Sequence, residues 1–132
     1  MKLNIKLLEN RKLGIKNILD EDTPGIVFNC IKCKQNKQNI RLYTEKSYIE
    51  IPIDIFLKML IRKNKDTIWL IYENDNNINS LVGYTLFDTY GFPVEITQEE
   101  LKNKGNLDLI GFDILKEIQK EKSQNKKIES AF

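Results

Sequence analysis

Residues Phe87 to Thr97 read F-D-T-Y-G-F-P-V-E-I-T, the run least expected by chance in this chain. Gly91 is free to take a positive φ, while Pro93 fixes its own φ and donates no N–H. Phe92, preceding proline, is pushed out of the α region. The run therefore predicts a shaped corner, packed by Phe87, Tyr90 and Phe92, with Asp88 oriented by it.

The rest of the chain narrows function by exclusion. It has 132 residues, no histidine and two cysteines. Without histidine there is no Ser-His-Asp or Cys-His catalysis and no imidazole metal site. Cys30-Ile31-Lys32-Cys33 is half a zinc site, since structural zinc takes four ligands. A redox pair of this spacing works best at a helix N-terminus. Here the motif falls in a β-branched run, which predicts thiols on opposite faces, one buried and one near the surface. No phosphate-cradling glycine loop and no calcium loop is present. No converging set of acids and lysines suggests an enzyme, and no cofactor is expected.

Net charge is +2, with Arg only at Arg11, Arg41 and Arg62. No global field favours nucleic acid. Charge is nevertheless local: Lys116, Lys120, Lys122, Lys126 and Lys127 crowd the C-terminal end, and Asp20, Glu21, Asp22, Glu73 and Asp75 form candidate acidic loops. No membrane span or signal peptide is read from the hydropathy pattern, and a cytoplasmic protein is expected.

Periodicity predicts an α+β fold: a small antiparallel sheet packed with one helix, then a helical C-terminal segment. Strands are expected over Lys2–Leu8, Ile26–Cys33 (central), Ile40–Tyr43, Tyr48–Ile51 and Asp66–Tyr72. Lys12–Leu19 is ambiguous, Glu21–Gly25 reads as a turn, and Lys34–Gln38 and Asn74–Ser80 read as polar loops. Pro52 opens a helix whose apolar positions are Ile53, Phe56, Leu57, Leu60 and Ile61. Thr97 and Glu100 have capping-box spacing ahead of a helix ending near Gly105, and Asp108 is placed to cap the next. The organisation expected is one small domain, 1–132. A possible sub-boundary at 74–80 separates a β-rich part (1–73) from a helical part (81–122), and 123–132 frays.

The segment 81–132 resembles alanyl-tRNA synthetase. That family carries a stretch like Asp88-Thr89-Tyr90-Gly91-Phe92-Pro93-Val94-Glu95-Ile96-Thr97. There follow a helix ending in glycine, an acidic cap, G-F and a later Gln, matched by Leu101–Gly105, Asp108, Gly111-Phe112 and Gln119. The spacing between Gly105 and Gly111 is about one residue short. The resemblance implies the helical part beyond the catalytic domain, beside the tRNA acceptor stem. Asp88 would then take the role of an acid that senses a G·U pair, with Tyr90 and Pro93 shaping its surroundings. The synthetase motifs that build an adenylate site, and the editing domain, are absent.

Two readings follow. One is a non-catalytic binding protein contacting tRNA through Asp88, Tyr90, Lys116, Lys120 and Lys122. The other is an immunity protein or antitoxin, whose acidic loops meet a basic protein toxin partner.

Overall fold

The computed structural model describes residues 2–17 and 25–130, with side chains described as far as Lys122. The expected turn at Glu21–Gly25 therefore lies outside the described residues except for Gly25. The architecture is α+β, as the sequence indicated. A 3-10 helix, Ile5–Leu8, precedes β1 (Arg11–Asn17), β2 (Ile26–Cys30), β3 (Lys32–Asn36), β4 (Asn39–Tyr43) and β5 (Tyr48–Pro52). A single helical turn, α1 (Ile53–Phe56), leads to β6 (Met59–Asn64), β7 (Thr67–Tyr72) and the two-residue β8 (Asn77–Ile78). Helices α2 (Ser80–Tyr90) and α3 (Val94–Leu101), β9 (Asn106–Leu107) and α4 (Leu109–Ser130) complete the chain. Among the described residues no helix is long and apolar enough to cross a membrane.

Two larger sheets are built from these strands, beside the parallel two-stranded pair β8-β9. One has the order β2-β1-β7-β6, the other β3-β4-β5. All pairs within them are antiparallel except β1 with β7, which run parallel in the register Leu13 opposite Ile68 and Ile15 opposite Leu70. A parallel pair needs a crossover connection, and here that connection contains the whole second sheet. Trp69 lies across β1, where a side chain on Gly14 would put its Cβ 2.5 Å from the indole. The absence of a Cβ at Gly14 is what lets the ring sit flat.

Several elements differ from expectation for identifiable reasons. Lys2–Leu8 alternates like a strand, yet Leu3, Ile5, Leu7 and Leu8 are all buried. A tight helical turn buries adjacent Leu7 and Leu8 together, which a strand covered on only one face does not do. Ile26–Cys33 splits at Ile31 into β2, an edge strand, and β3 in the other sheet. β3 then takes up residues read as loop, turning at Lys37 with φ 47°. The helix opened by Pro52 ends after one turn, because Leu60 and Ile61 are paired into β6 against Ile71 and Leu70. Thr97 is no cap. Helix α3 starts at Val94, with Pro93 N-terminal to it at φ −58°, so Thr97 is already inside the helix and buried.

One cluster of buried residues joins Leu3, Leu13, Ile40 and Ile61 from the strand-rich part to Leu81, Tyr84, Phe112, Leu115 and Ile118 of α2 and α4. Two buried polar side chains fix how the helices meet the strands. Asn79 accepts from the Leu81 N–H and donates to the carbonyls of Phe56 (3.0 Å) and Met59 (2.9 Å). Asp108 caps α4 by accepting from the Gly111 N–H at 3.1 Å, as its position predicted. It also accepts from the Ile61 N–H at 2.8 Å and pairs with Arg62 at 2.6 Å. Gly111 is needed beside it, since a Cβ there would run into the Asp108 carboxylate and Ser80 Oγ.

Removing one partner of a buried charge pair typically costs about 3–5 kcal/mol. Asp108→Ala is expected to lower stability by about that amount, read as a fall in the urea midpoint at constant slope. Gly14→Val is expected to cost about 1–3 kcal/mol through overpacking against Trp69, by the same measurement.

Candidate nucleic-acid interface

The corner singled out in the sequence forms at the junction of α2 and α3. Helix α2 stops where Gly91 takes φ 70°. The Gly91 N–H then returns to the Phe87 carbonyl at 3.1 Å and the Phe92 N–H to that of Leu86 at 3.2 Å. A left-handed residue after a helix end is the usual glycine role. The aromatics do not fill the corner as expected. Phe87, Tyr90 and Phe92 stay 40%, 61% and 47% exposed, and the rings of Tyr90 and Phe92 stack with centroids 6.2 Å apart. The interior is filled instead by Tyr84 and Phe112, with Phe87 edge-on to Phe112 at 5.7 Å.

Asp88 is exposed on the last turn of α2 and accepts from Asn4 Nδ2 at 3.2 Å. It stands on the rim of a cavity of about 540 Å³, whose lining includes Lys2, Lys6, Lys32, Lys34, Glu9 and Cys33. The four lysines are exposed, and they come from the N-terminal segment and from β3. Lys32 and Lys34 flank buried Cys33, so strand alternation turns both outward. Lys34 falls in the stretch read as a polar loop, so this alternation was missed in the sequence. The meeting of these lysines with Lys2, Lys6 and Asp88 was not readable either, because it depends on the 3-10 helix packing between β3 and α4.

The C-terminal lysines separate. Lys116 is exposed, with Nζ 5.8 Å from the Phe87 ring and 5.6 Å from that of Phe112. It thus flanks the residue next to Asp88. Lys120 is exposed one turn further along α4. Lys122 points elsewhere: its Nζ donates to the carbonyls of Lys6 (3.1 Å) and Leu7 (3.4 Å), tying α4 to the 3-10 helix. Partial burial pulls its pKa below that of a free lysine. Beside it, Glu121 is held below the usual carboxylate range, chiefly by the hydrogen bond from Arg11 at 3.0 Å. The side chains of Lys126 and Lys127 lie outside those described.

Of the acidic loops, Asp20, Glu21 and Asp22 lie outside the described residues. Glu73 and Asp75 are exposed. Asp75 accepts from the Tyr72 hydroxyl and lies 3.9 Å from Lys58 Nζ.

The cysteines depart from the strand expectation. Both are buried, and their sulfurs are 3.3 Å apart, because the break at Ile31 swings Cys33 back toward Cys30. Among the described residues no group of three or more Asp, Glu and Cys side chains is arranged to hold a metal.

The fold and cleft thus define a small α+β protein presenting two carboxylates, Asp88 and Glu9, among lysines beside exposed aromatics. Over 90 residues the chain is 36% identical to the alanine–tRNA ligase of Caldicellulosiruptor saccharolyticus, a match covering 63% of this chain and 9% of the enzyme. It is 39% identical over 92 residues to that of Prochlorococcus marinus, covering 69% of the chain and 10% of the enzyme. For Mycoplasmopsis agalactiae the figures are 33% over 108 residues, 80% of the chain and 12% of the enzyme. The chain therefore spans about a tenth of the length of these curated relatives. The matched stretches are longer than 81–132, so the likeness reaches into the first 80 residues. No family model matches the chain, and no solved structure matches it.

Lys122→Met is expected to cost about 1 kcal/mol by removing the ammonium donor that ties α4 to the Lys6 and Leu7 carbonyls, of which Lys6 also accepts from the Glu9 N–H. Lys120→Glu is expected to change stability by less than about 0.5 kcal/mol. Thermal or urea unfolding of the two variants checks the contrast.

Proposed function

We propose that this chain is a non-catalytic binding module for the end of an RNA duplex of the tRNA acceptor-stem kind. The observation that carries the reading is its similarity to alanine–tRNA ligases over more than half of its length. The corner supplies a chemistry that fits. A-form RNA exposes base edges in a wide, shallow minor groove. The Asp88 carboxylate accepts from a guanine amino group there, as at a G·U pair. Lys2, Lys6, Lys32 and Lys34, which line the same cavity, neutralise phosphates on either side. Lys116 and Lys120 extend the contact along α4. The stacked, exposed pair Tyr90 and Phe92 offers a flat apolar surface to an unpaired base beyond the duplex.

Phosphate contacts position a protein, and base contacts specify. Binding to an acceptor-stem hairpin, followed by fluorescence anisotropy, is expected to weaken as salt rises. With about four phosphates neutralised, the slope of log K against log salt is about −3 to −4. Lys32→Glu with Lys34→Glu is expected to flatten that slope for every sequence tested. Asp88→Asn is expected to spare the slope and to lose the preference for a G·U hairpin over its G·C counterpart. Flat isotherms at low salt overturn the proposal.

A further inference from the structure

Cys30 and Cys33 take no part in the reading above, yet their setting is built for thiol chemistry. Cys30 ends β2 and Cys33 lies in β3, and the exposed Ile31 between them is where the chain leaves one sheet for the other. The two sulfurs face each other 3.3 Å apart in the interior, at 1% and 5% exposure. Both residues are otherwise held in place. The Asn10 N–H donates to the Cys30 carbonyl at 2.8 Å, and the Cys33 N–H donates to Glu9 Oε1 at 3.1 Å. Cys33 also lines the 540 Å³ cavity, which gives a small reagent a route to the pair.

We propose that Cys30 and Cys33 are a redox-active dithiol that closes reversibly to an intramolecular disulfide. The loop so closed has only two residues between the cysteines, and the chain-entropy gain from a disulfide shrinks as the loop shortens. A bond here is therefore poorly suited to stapling the fold and well suited to exchange.

The two thiols are unequal. The hydrogen bond from Cys33 pulls the Cys30 thiol below its ordinary pKa, while donation of that proton, together with burial, pushes Cys33 up. With a hydroperoxide as oxidant, one of the two sulfurs attacks the terminal oxygen and the O–O bond breaks. An alcohol (water, for hydrogen peroxide) leaves, and that cysteine becomes a sulfenic acid. The facing sulfur, 3.3 Å away, then attacks it, the S–O bond breaks, and the hydroxyl departs as water with the second thiol's proton. Two electrons pass from the sulfurs to the peroxide oxygens. An external dithiol reverses the reaction by thiol–disulfide exchange.

The test uses the full chain, reduced, desalted and exposed to hydrogen peroxide under native conditions. It is then unfolded in the presence of an alkylating agent and weighed intact. Expected is a monomer lighter by two hydrogen atoms that takes up no label, with both labels recovered after dithiothreitol. With either cysteine replaced by serine no intramolecular disulfide can form, and the remaining thiol is expected to stop at a sulfenic acid that dimedone captures. Two labels retained after peroxide, disulfide-linked dimers, or sulfinic acid in place of the disulfide would each overturn the proposal. The wild-type measurement stands without the variants if either fails to fold.

Discussion

A single buried carboxylate holds the two halves of this molecule in register. Asp108 receives one N–H from its own helix, another from Ile61 in β6, and a guanidinium from Arg62. A charge taken out of water is expensive unless several donors replace its hydration. This one has three, one from α4 and two from β6. The start of α4 is therefore fixed against β6, and α4 in turn carries Phe112, Leu115 and Ile118 into the cluster that contains Leu13 and Ile61. Asn79 does the equivalent for α2. The position of Asp88 follows from these two anchors, since it rides on the last turn of α2.

Placement of the cleft also depends on the N-terminal segment. Leu3 and Ile5 insert into the core, and the Asn4 N–H donates to Thr85 Oγ1 at 3.0 Å. That seats the 3-10 helix against α2, three residues before Asp88, and brings Lys2 and Lys6 to the β3 lysines. Lys122 closes the arrangement from the α4 side. A positively charged rim is thus assembled from segments that carry no basic run of their own, in a chain whose overall charge is close to neutral.

Local chemistry was legible in the sequence; long-range pairing was not. Gly91 and Pro93 marked the corner, and Asp108 the cap of α4, because each acts within a few residues; the helix start read at Thr97 lies at Val94. The hairpin β4–β5 and strand β7 followed from β-branched runs and turn residues. The alternation of Lys2–Leu8 misled because period two says nothing about burying neighbours, and Leu8 needed the core as much as Leu7 did. The apolar spacing of Ile53–Ile61 fits a helix, but β7 offered Leu60 and Ile61 a partner strand, and pairing overrode periodicity. The cysteines were misplaced for the same reason: nothing local in Ile26–Cys33 reports that the run serves two sheets. Asp88 was singled out through the motif around it, whereas its lysine neighbours required the tertiary fold.

The parallel pairing of β1 with β7 has a consequence for how the chain acquires its structure. Lys12 sits opposite Thr67, so the middle of the larger sheet cannot close until more than the first half of the polypeptide has been made. Until then β1 has only an edge strand, β2, beside it, while β3, β4 and β5 can already zip together through short turns. During synthesis the smaller sheet is in a position to form early, and the larger one to assemble around it late. Contacts between residues far apart in the chain slow folding because ordering the intervening loop comes first. The emerging chain therefore spends its longest exposed interval with Leu13 and Ile15 still waiting for Ile68 and Leu70.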